Sequence, residues 1–192
     1  MNLRIFMITF VAATLVFGPA CDPAKPVSIG EGQVSTDRMP RTRLPMPPTK
    51  PVEEQGWILF DGGKREMMKE RQGKVLVLDF WATYCPPCLE EIPHLKELKK
   101  KYSDQLEVIG LHVGGEQDRP LVPDFKKKLE IDYPIATPED ELLYLLLGDD
   151  DRIPQTLVFD RKGKLVKRFV SFDDEVKKQI DETVDKTVNG DS

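Results

Sequence analysis

Cys85 and Cys88 stand two residues apart, separated by Pro86 and Pro87, and no other two cysteines of the chain are placed to form a short-range disulfide. An apolar run, VLVLDFWA (75–82), leads into them and a helical pattern follows at once. Cys85 then falls at or just before the first helical turn. Unpaired backbone N–H groups and the helix dipole there favour a thiolate. Pro86 suits the first helical position, where no N–H is needed. Cys88, one turn on, is within reach of a mixed disulfide formed on Cys85. The chemistry is dithiol–disulfide exchange, with Cys85 attacking and Cys88 resolving. Two plainer readings compete. A zinc site needs about four ligands, and only His94 and His112 are available to join the cysteines. An inert structural disulfide is the other, but exposed cysteines at a helix start are activated.

Asp79 adds a carboxylate to the strand, six residues before Cys85. On an apolar strand desolvation raises its pKa, which lets it exchange protons with Cys88 during resolution. The alternative is a carboxylate that only hydrogen-bonds in the core. Glu90 and Glu91 follow Cys88 and read as complements to the helix dipole that could also tune the thiols. The acidic loop Asp149–Asp151 reads as solvated, with selection of a basic partner as the alternative.

The elements that must hold these residues can be read from periodicity. Residues 75–82 form a near-continuous apolar run of the kind a strand buried on both faces requires. Residues 86–102 predict a helix, with Leu89, Ile92, Leu95 and Leu98 on its buried face and Pro93 kinking it. Upstream, WILFD (57–61) predicts a strand and KREMMKERQ (64–72) a short helix between glycines. Downstream, strands are predicted at 106–113 and 133–137. Helical segments are predicted at 120–130, with Leu121, Phe125 and Leu129 on one face, at 139–147, and at 173–188. Residues 155–160 and 164–170 predict a hairpin. The order implies an α/β fold: a central mixed β-sheet flanked by helices, with an N-terminal strand/helix extension.

The 192 residues suffice for one ordinary domain with extensions. Residues 1–21 resemble an export signal: Arg4, an apolar stretch from Ile5 to Phe17, then small residues. The apolar stretch is shorter than the roughly 20 residues of a spanning helix. Cys21, directly after it, is the leftover thiol of an odd count of three and is read as a lipidation site. Residues 22–55 hold seven of the sixteen prolines without hydrophobic periodicity, and read as a disordered linker. The folded domain is expected over 56–190. A net charge of −5 gives no basic footprint for nucleic-acid binding.

DFWATYCPPCLEEIP (79–93) resembles the active-site segment of the thioredoxin superfamily, and its CPPC followed by Glu-Glu-Ile-Pro is similar to the TlpA/ResA-like branch. The resemblance covers roughly residues 57–188. It includes Ile153-Pro154-Gln155-Thr156 before an apolar strand, where it implies a cis peptide bond at Pro154 beside the cysteines. It implies a thioredoxin fold and an exported, membrane-tethered thiol–disulfide oxidoreductase of the bacterial cell envelope. It also implies Trp81, Tyr84, Pro86, Pro87, Ile153 and Pro154 as substrate-side neighbours. Tyr84 replaces the family's usual tryptophan, and Asp79 stands where this branch often has asparagine. Protein disulfides, apocytochrome c cysteines among them, are the implied substrates, with recharging by a membrane thiol-transfer protein. No cofactor is expected beyond the redox-active Cys85–Cys88 disulfide, and no metal. Reduction is the expected direction; a disulfide oxidase or isomerase would use the same residues. A tethered binding lipoprotein without turnover is the competing class. A thiol peroxidase would need a distant resolving cysteine instead.

Overall fold

The computed structural model describes residues 50–190. The expected export signal, Cys21 and most of the proline-rich segment lie outside the described residues. Within them, Val52–Glu54 form a single 3-10 turn, and Gln55 is buried, donating from Nε2 to Glu141 Oε2 at 2.8 Å.

Among the described residues seven strands form one mixed sheet. They are β1 (Gly56–Leu59), β2 (Arg65–Met67), β3 (Val75–Trp81), β4 (Leu106–His112), β5 (Ile135–Pro138), β6 (Gln155–Phe159) and β7 (Leu165–Val170). Their spatial order is β2-β1-β5-β4-β3-β6-β7. The β3–β4 and β4–β5 pairs are parallel; all others are antiparallel. Four helices accompany the sheet: α1 (Pro86–Tyr102), α2 (Val122–Lys128), α3 (Asp140–Leu147) and α4 (Asp174–Asn189).

Every residue of β3 is buried, as the apolar run predicts for a strand with neighbours on both sides and cover on both faces. Its side chains alternate, so Val77, Asp79 and Trp81 share one face. Across the ladder Asp79 pairs with Gly110 of β4 and Thr156 of β6. A Cβ on Gly110 would lie 3.1 Å from Trp81 Nε1 and 3.2 Å from a ring carbon of Tyr133. The missing side chain is what lets both rings close over the strand beside Asp79.

Two sequence readings are corrected. The helix expected at 64–72 is instead β2 followed by a 3-10 turn, Met68–Arg71. The chain reverses after β1, Leu59 N donating to Lys64 O at 2.9 Å, and Glu66 pairs with Trp57. Covering the open edge of β1 satisfies backbone groups that a detached helix would leave exposed, so tertiary pairing overrides local propensity. In the segment 120–130 the buried residue is Val122, whereas Leu121 is 49% exposed. Leu121 closes a 3-10 turn, Arg119–Leu121, and that tighter winding rotates it off the face shared with Phe125. The other predicted elements stand at their expected places within a few residues, and α1 runs through Pro93.

Candidate active site

Cys85 is the N-cap of α1, with extended backbone, and its Sγ accepts from Cys88 N at 3.3 Å. Pro86 occupies the first helical position, as its fixed φ favours. Cys85 and Cys88 are joined in a disulfide, with Cα atoms 5.3 Å apart. Both cysteines are fully buried, which corrects the expectation of an exposed pair. The helix start is drawn into the core together with Trp81, Ala82 and Ile153, leaving Pro86 exposed and Tyr84 half-buried. The Ile153–Pro154 peptide bond is cis, and Pro154 is buried. Pro154 O accepts from Ser171 N at 2.9 Å, and Gln155 leads directly into β6 beside β3.

The strand and helix that carry the cysteines also hold a buried acid pair that the sequence reading only half captured. Asp79 is fully buried, and neither carboxylate oxygen has a hydrogen-bond partner among the described residues. Burial, and then the nearby Glu91 carboxyl, push its pKa well above the ordinary aspartate value. Glu91 is not a surface complement to the dipole. It is fully buried, its Oε1 accepts from Thr156 Oγ1, and its pKa is pushed up to about 8 by burial, which the Thr156 bond only partly offsets. The signal was present in the helix register. Counting from Cys88, positions three, four and seven residues on are Glu91, Ile92 and Leu95, all buried, so Glu91 shares the inward stripe. Tyr133 closes the cluster from the loop before β5. Its hydroxyl is buried without a partner among the described residues, and burial followed by the charges of Asp79 and Glu91 raises its pKa strongly.

The flanking loops differ in character. In the acidic loop, Asp150 is tied to Arg152 Nη2 at 2.7 Å and to Arg168 Nη2 at 2.7 Å, and the hydrogen bond from Arg152 lowers its pKa to about 2. Gln155 Nε2 donates to Asp150 O at 3.0 Å and Arg152 O at 2.7 Å, pinning the approach to Pro154. This loop is braced rather than merely solvated. On the other side, Asp118 binds Thr83 and His112, an arrangement the sequence reading missed because it joins two separate loops and a strand end. His94 faces α4, with Nε2 3.3 Å from Asp181 Oδ1, and does not join the cysteines. Among the described residues no group of three or more His, Cys, Asp or Glu side chains is placed to hold a metal ion.

The redoxin family pattern matches residues 37–184. A thiol-disulfide oxidoreductase ResA of Bacillus cereus is 28% identical over 120 residues, covering 62% of this chain and 66% of that protein. The match thus falls just short of two thirds of that relative's length. A thiol:disulfide interchange protein of the thioredoxin family from Chlorobium tepidum TLS superposes with a TM-score of 0.60 at 26% identity, covering 78% of this chain and all of the other. An exposed lipoprotein thioredoxin from Streptococcus pneumoniae superposes with a TM-score of 0.55 at 25% identity, over 69% of this chain and 98% of that one. With the mixed sheet, the helix-start cysteine pair and the cis-proline, these matches settle the kinship: the chain belongs to the redoxin family, as a ResA-like member of the thioredoxin superfamily.

Proposed function

We propose that this protein is a thiol–disulfide oxidoreductase that reduces disulfides of proteins in the cell envelope. The observation that carries the proposal is the Cys85–Cys88 disulfide at the N-terminus of α1, with a cis Ile153–Pro154 bond leading into β6, the strand paired with β3. In the dithiol form, the Cys85 thiolate attacks one sulfur of a substrate disulfide. A Cys85–substrate bond forms, the substrate S–S bond breaks, and the departing thiolate takes up a proton. Cys88 then attacks Cys85 Sγ, releasing the second substrate thiolate and re-forming the Cys85–Cys88 disulfide. Two electrons pass to the substrate, and a dithiol donor in the membrane restores the pair. The cysteines carry the electrons themselves, with no separate cofactor. Asp79 accepts the Cys88 proton: its desolvated carboxyl is a stronger base than an exposed one. Tyr84, Pro86 and Pro87 form the lip against which the substrate chain lies, with Trp81, Ile153 and Pro154 buried behind it. Both cysteines are fully buried in the oxidised state, so recharging requires that lip to move.

The reductive direction is supported by the acidic surroundings. The helix start favours the thiolate by about 0.3–1 kcal/mol. Against it stand the burial of Cys85 itself and the buried carboxylate of Asp118, bound to Thr83 two residues before it. An oxidant is strong when its reduced form is stabilised; groups that disfavour the thiolate do the opposite and lower the potential. Equilibration with dithiothreitol buffers, with the free thiols counted by maleimide mass shift, is expected to place the couple nearer the thioredoxin value of about −270 mV than the oxidase value of about −120 mV. A potential at the oxidising end overturns the direction.

Location follows from the N-terminal reading. Residues 1–21 are proposed to direct export, Cys21 to carry the lipid anchor, and residues 22–55 to tether the domain. Similarity to the pneumococcal lipoprotein thioredoxin supports this. Mass spectrometry of the membrane fraction is expected to find a diacylated Cys21 as the mature N-terminus. An unmodified soluble N-terminus removes the anchor from the proposal.

A further inference from the structure

Thr83 lies two residues before Cys85, in the turn that joins β3 to α1, where Cys85 N donates to Ala82 O at 3.3 Å. Its backbone N–H donates to Asp118 Oδ2 at 2.9 Å and its hydroxyl to Asp118 Oδ1. The same Oδ2 lies 2.8 Å from His112 Nε2 at the end of β4, so Nε2 is the protonated ring nitrogen. All three residues are buried, Asp118 being only 5% exposed. The loop is shaped for this approach: a Cβ on Gly114 would lie 2.1 Å from Asp118 Oδ2, so only glycine leaves the carboxylate its place. The His112 ring is held edge-on by Phe60 and Trp81, with centroids 5.7 and 5.8 Å away.

Burial alone would raise the Asp118 pKa, but the bonds from Thr83 and His112 outweigh it and hold the carboxyl below its ordinary value. Burial keeps His112 below its own ordinary value, despite Asp118 beside it. At neutral pH Asp118 is therefore ionised beside a neutral His112. The pair's charged or titratable neighbours are Glu116 and Arg119 from the same loop, and Tyr84 from the turn. The charge is felt at Tyr84, next to Cys85: burial and then Asp118 raise the phenol's pKa. A buried carboxylate is a costly way to hold a turn, because an amide or hydroxyl would make similar bonds without desolvating a charge.

We infer that Asp118 is a positioning residue for Cys85: clamped by Thr83 and His112, its carboxylate fixes the turn that presents the attacking sulfur and holds a negative charge near it. This rests on the proposed function only in naming Cys85 as the attacking thiol.

The test is the pH dependence of Cys85 alkylation by iodoacetamide in the reduced full-length protein, read by peptide mass. Asp118→Asn removes the charge and is expected to lower the midpoint of Cys85 thiolate formation by about one pH unit. Thr83→Val keeps the charge but frees the turn. It is expected to slow reduction of an insulin disulfide by roughly fivefold, with Thr83→Ser restoring the wild-type rate. A merely structural clamp would lower the melting temperature and leave the Cys85 midpoint in place; an unmoved midpoint in Asp118→Asn overturns the inference. Should that variant not fold, Thr83→Val and Thr83→Ser decide it, and equal exchange rates in both overturn it. A wild-type protein that reduces no insulin defeats the proposed function, while the alkylation titration, which needs no protein substrate, still judges Asp118.

Discussion

Cys88→Ser is expected to arrest the protein in covalent union with its substrate. Cys85 keeps its place at the start of α1, where backbone N–H groups favour its thiolate, so attack on a substrate disulfide proceeds. Resolution does not, because the only sulfur one turn away has become a hydroxyl. Incubation with a disulfide-bearing protein should accumulate a mixed disulfide that dithiothreitol releases. Peptide mapping should assign that bond to Cys85, not to Cys21. Cys85→Ser should form no such adduct, and its turnover should fall on the order of a thousandfold, a loss of about 4 kcal/mol of transition-state stabilisation. If Cys88→Ser turns over like wild type, or if the adduct maps to Cys88, the assignment of attack and resolution is wrong. Asp79→Asn should retain attack but slow the release of the same adduct at neutral pH, since the proposed acceptor for the Cys88 proton is then gone.

The second large effect concerns stability. Glu91 titrates at an ordinary value near 4.5 in the unfolded chain and at about 8 in the fold. Its folded pKa is raised, so the native state holds a proton that the unfolded state has released throughout that window. Stability is therefore full below the unfolded value and falls as pH rises, by about 1.4 kcal/mol per pH unit, until Glu91 ionises in the fold. The accumulated loss between pH 4.5 and 8 is roughly 3–5 kcal/mol, a large part of a typical domain's margin. Asp79 is displaced in the same direction and adds to the slope. Glu91→Gln keeps the shape and an acceptor for Thr156 but cannot ionise. Urea midpoints are expected to agree between wild type and Glu91→Gln near pH 4.5 and to diverge above it, the variant becoming the more stable. Parallel pH profiles would show that Glu91 is not held protonated. A stabilised variant that exchanges disulfides more slowly would identify the acid pair as a feature kept for chemistry at the fold's expense.

What the sequence by itself determined was the cysteine pair and the strand and helix that carry it. The two-residue spacing of Cys85 and Cys88, the apolar run before them and Pro86 after the first cysteine each report on a local requirement, because disulfide geometry, burial and helix initiation act over a few residues. Pro154 was legible only through the family resemblance carried by the segment Ile153–Thr156 and the strand behind it, and its cis bond is present. Asp79 could be seen as a buried acid because it interrupts an apolar run. What only the tertiary structure decided were the partners brought from far along the chain. The pairing of β2 with β1 replaced a locally reasonable helix, since an open sheet edge outweighs the local preference of residues 64–72. Glu91 became an interior acid because α1 turns it inward to meet Thr156 of β6, 65 residues away. Asp118 met Thr83 across 35 residues through a loop shaped by Gly114. The identity of the cysteines was written locally, whereas the electrostatic field proposed to tune them arises from side chains that only the folded sheet brings together.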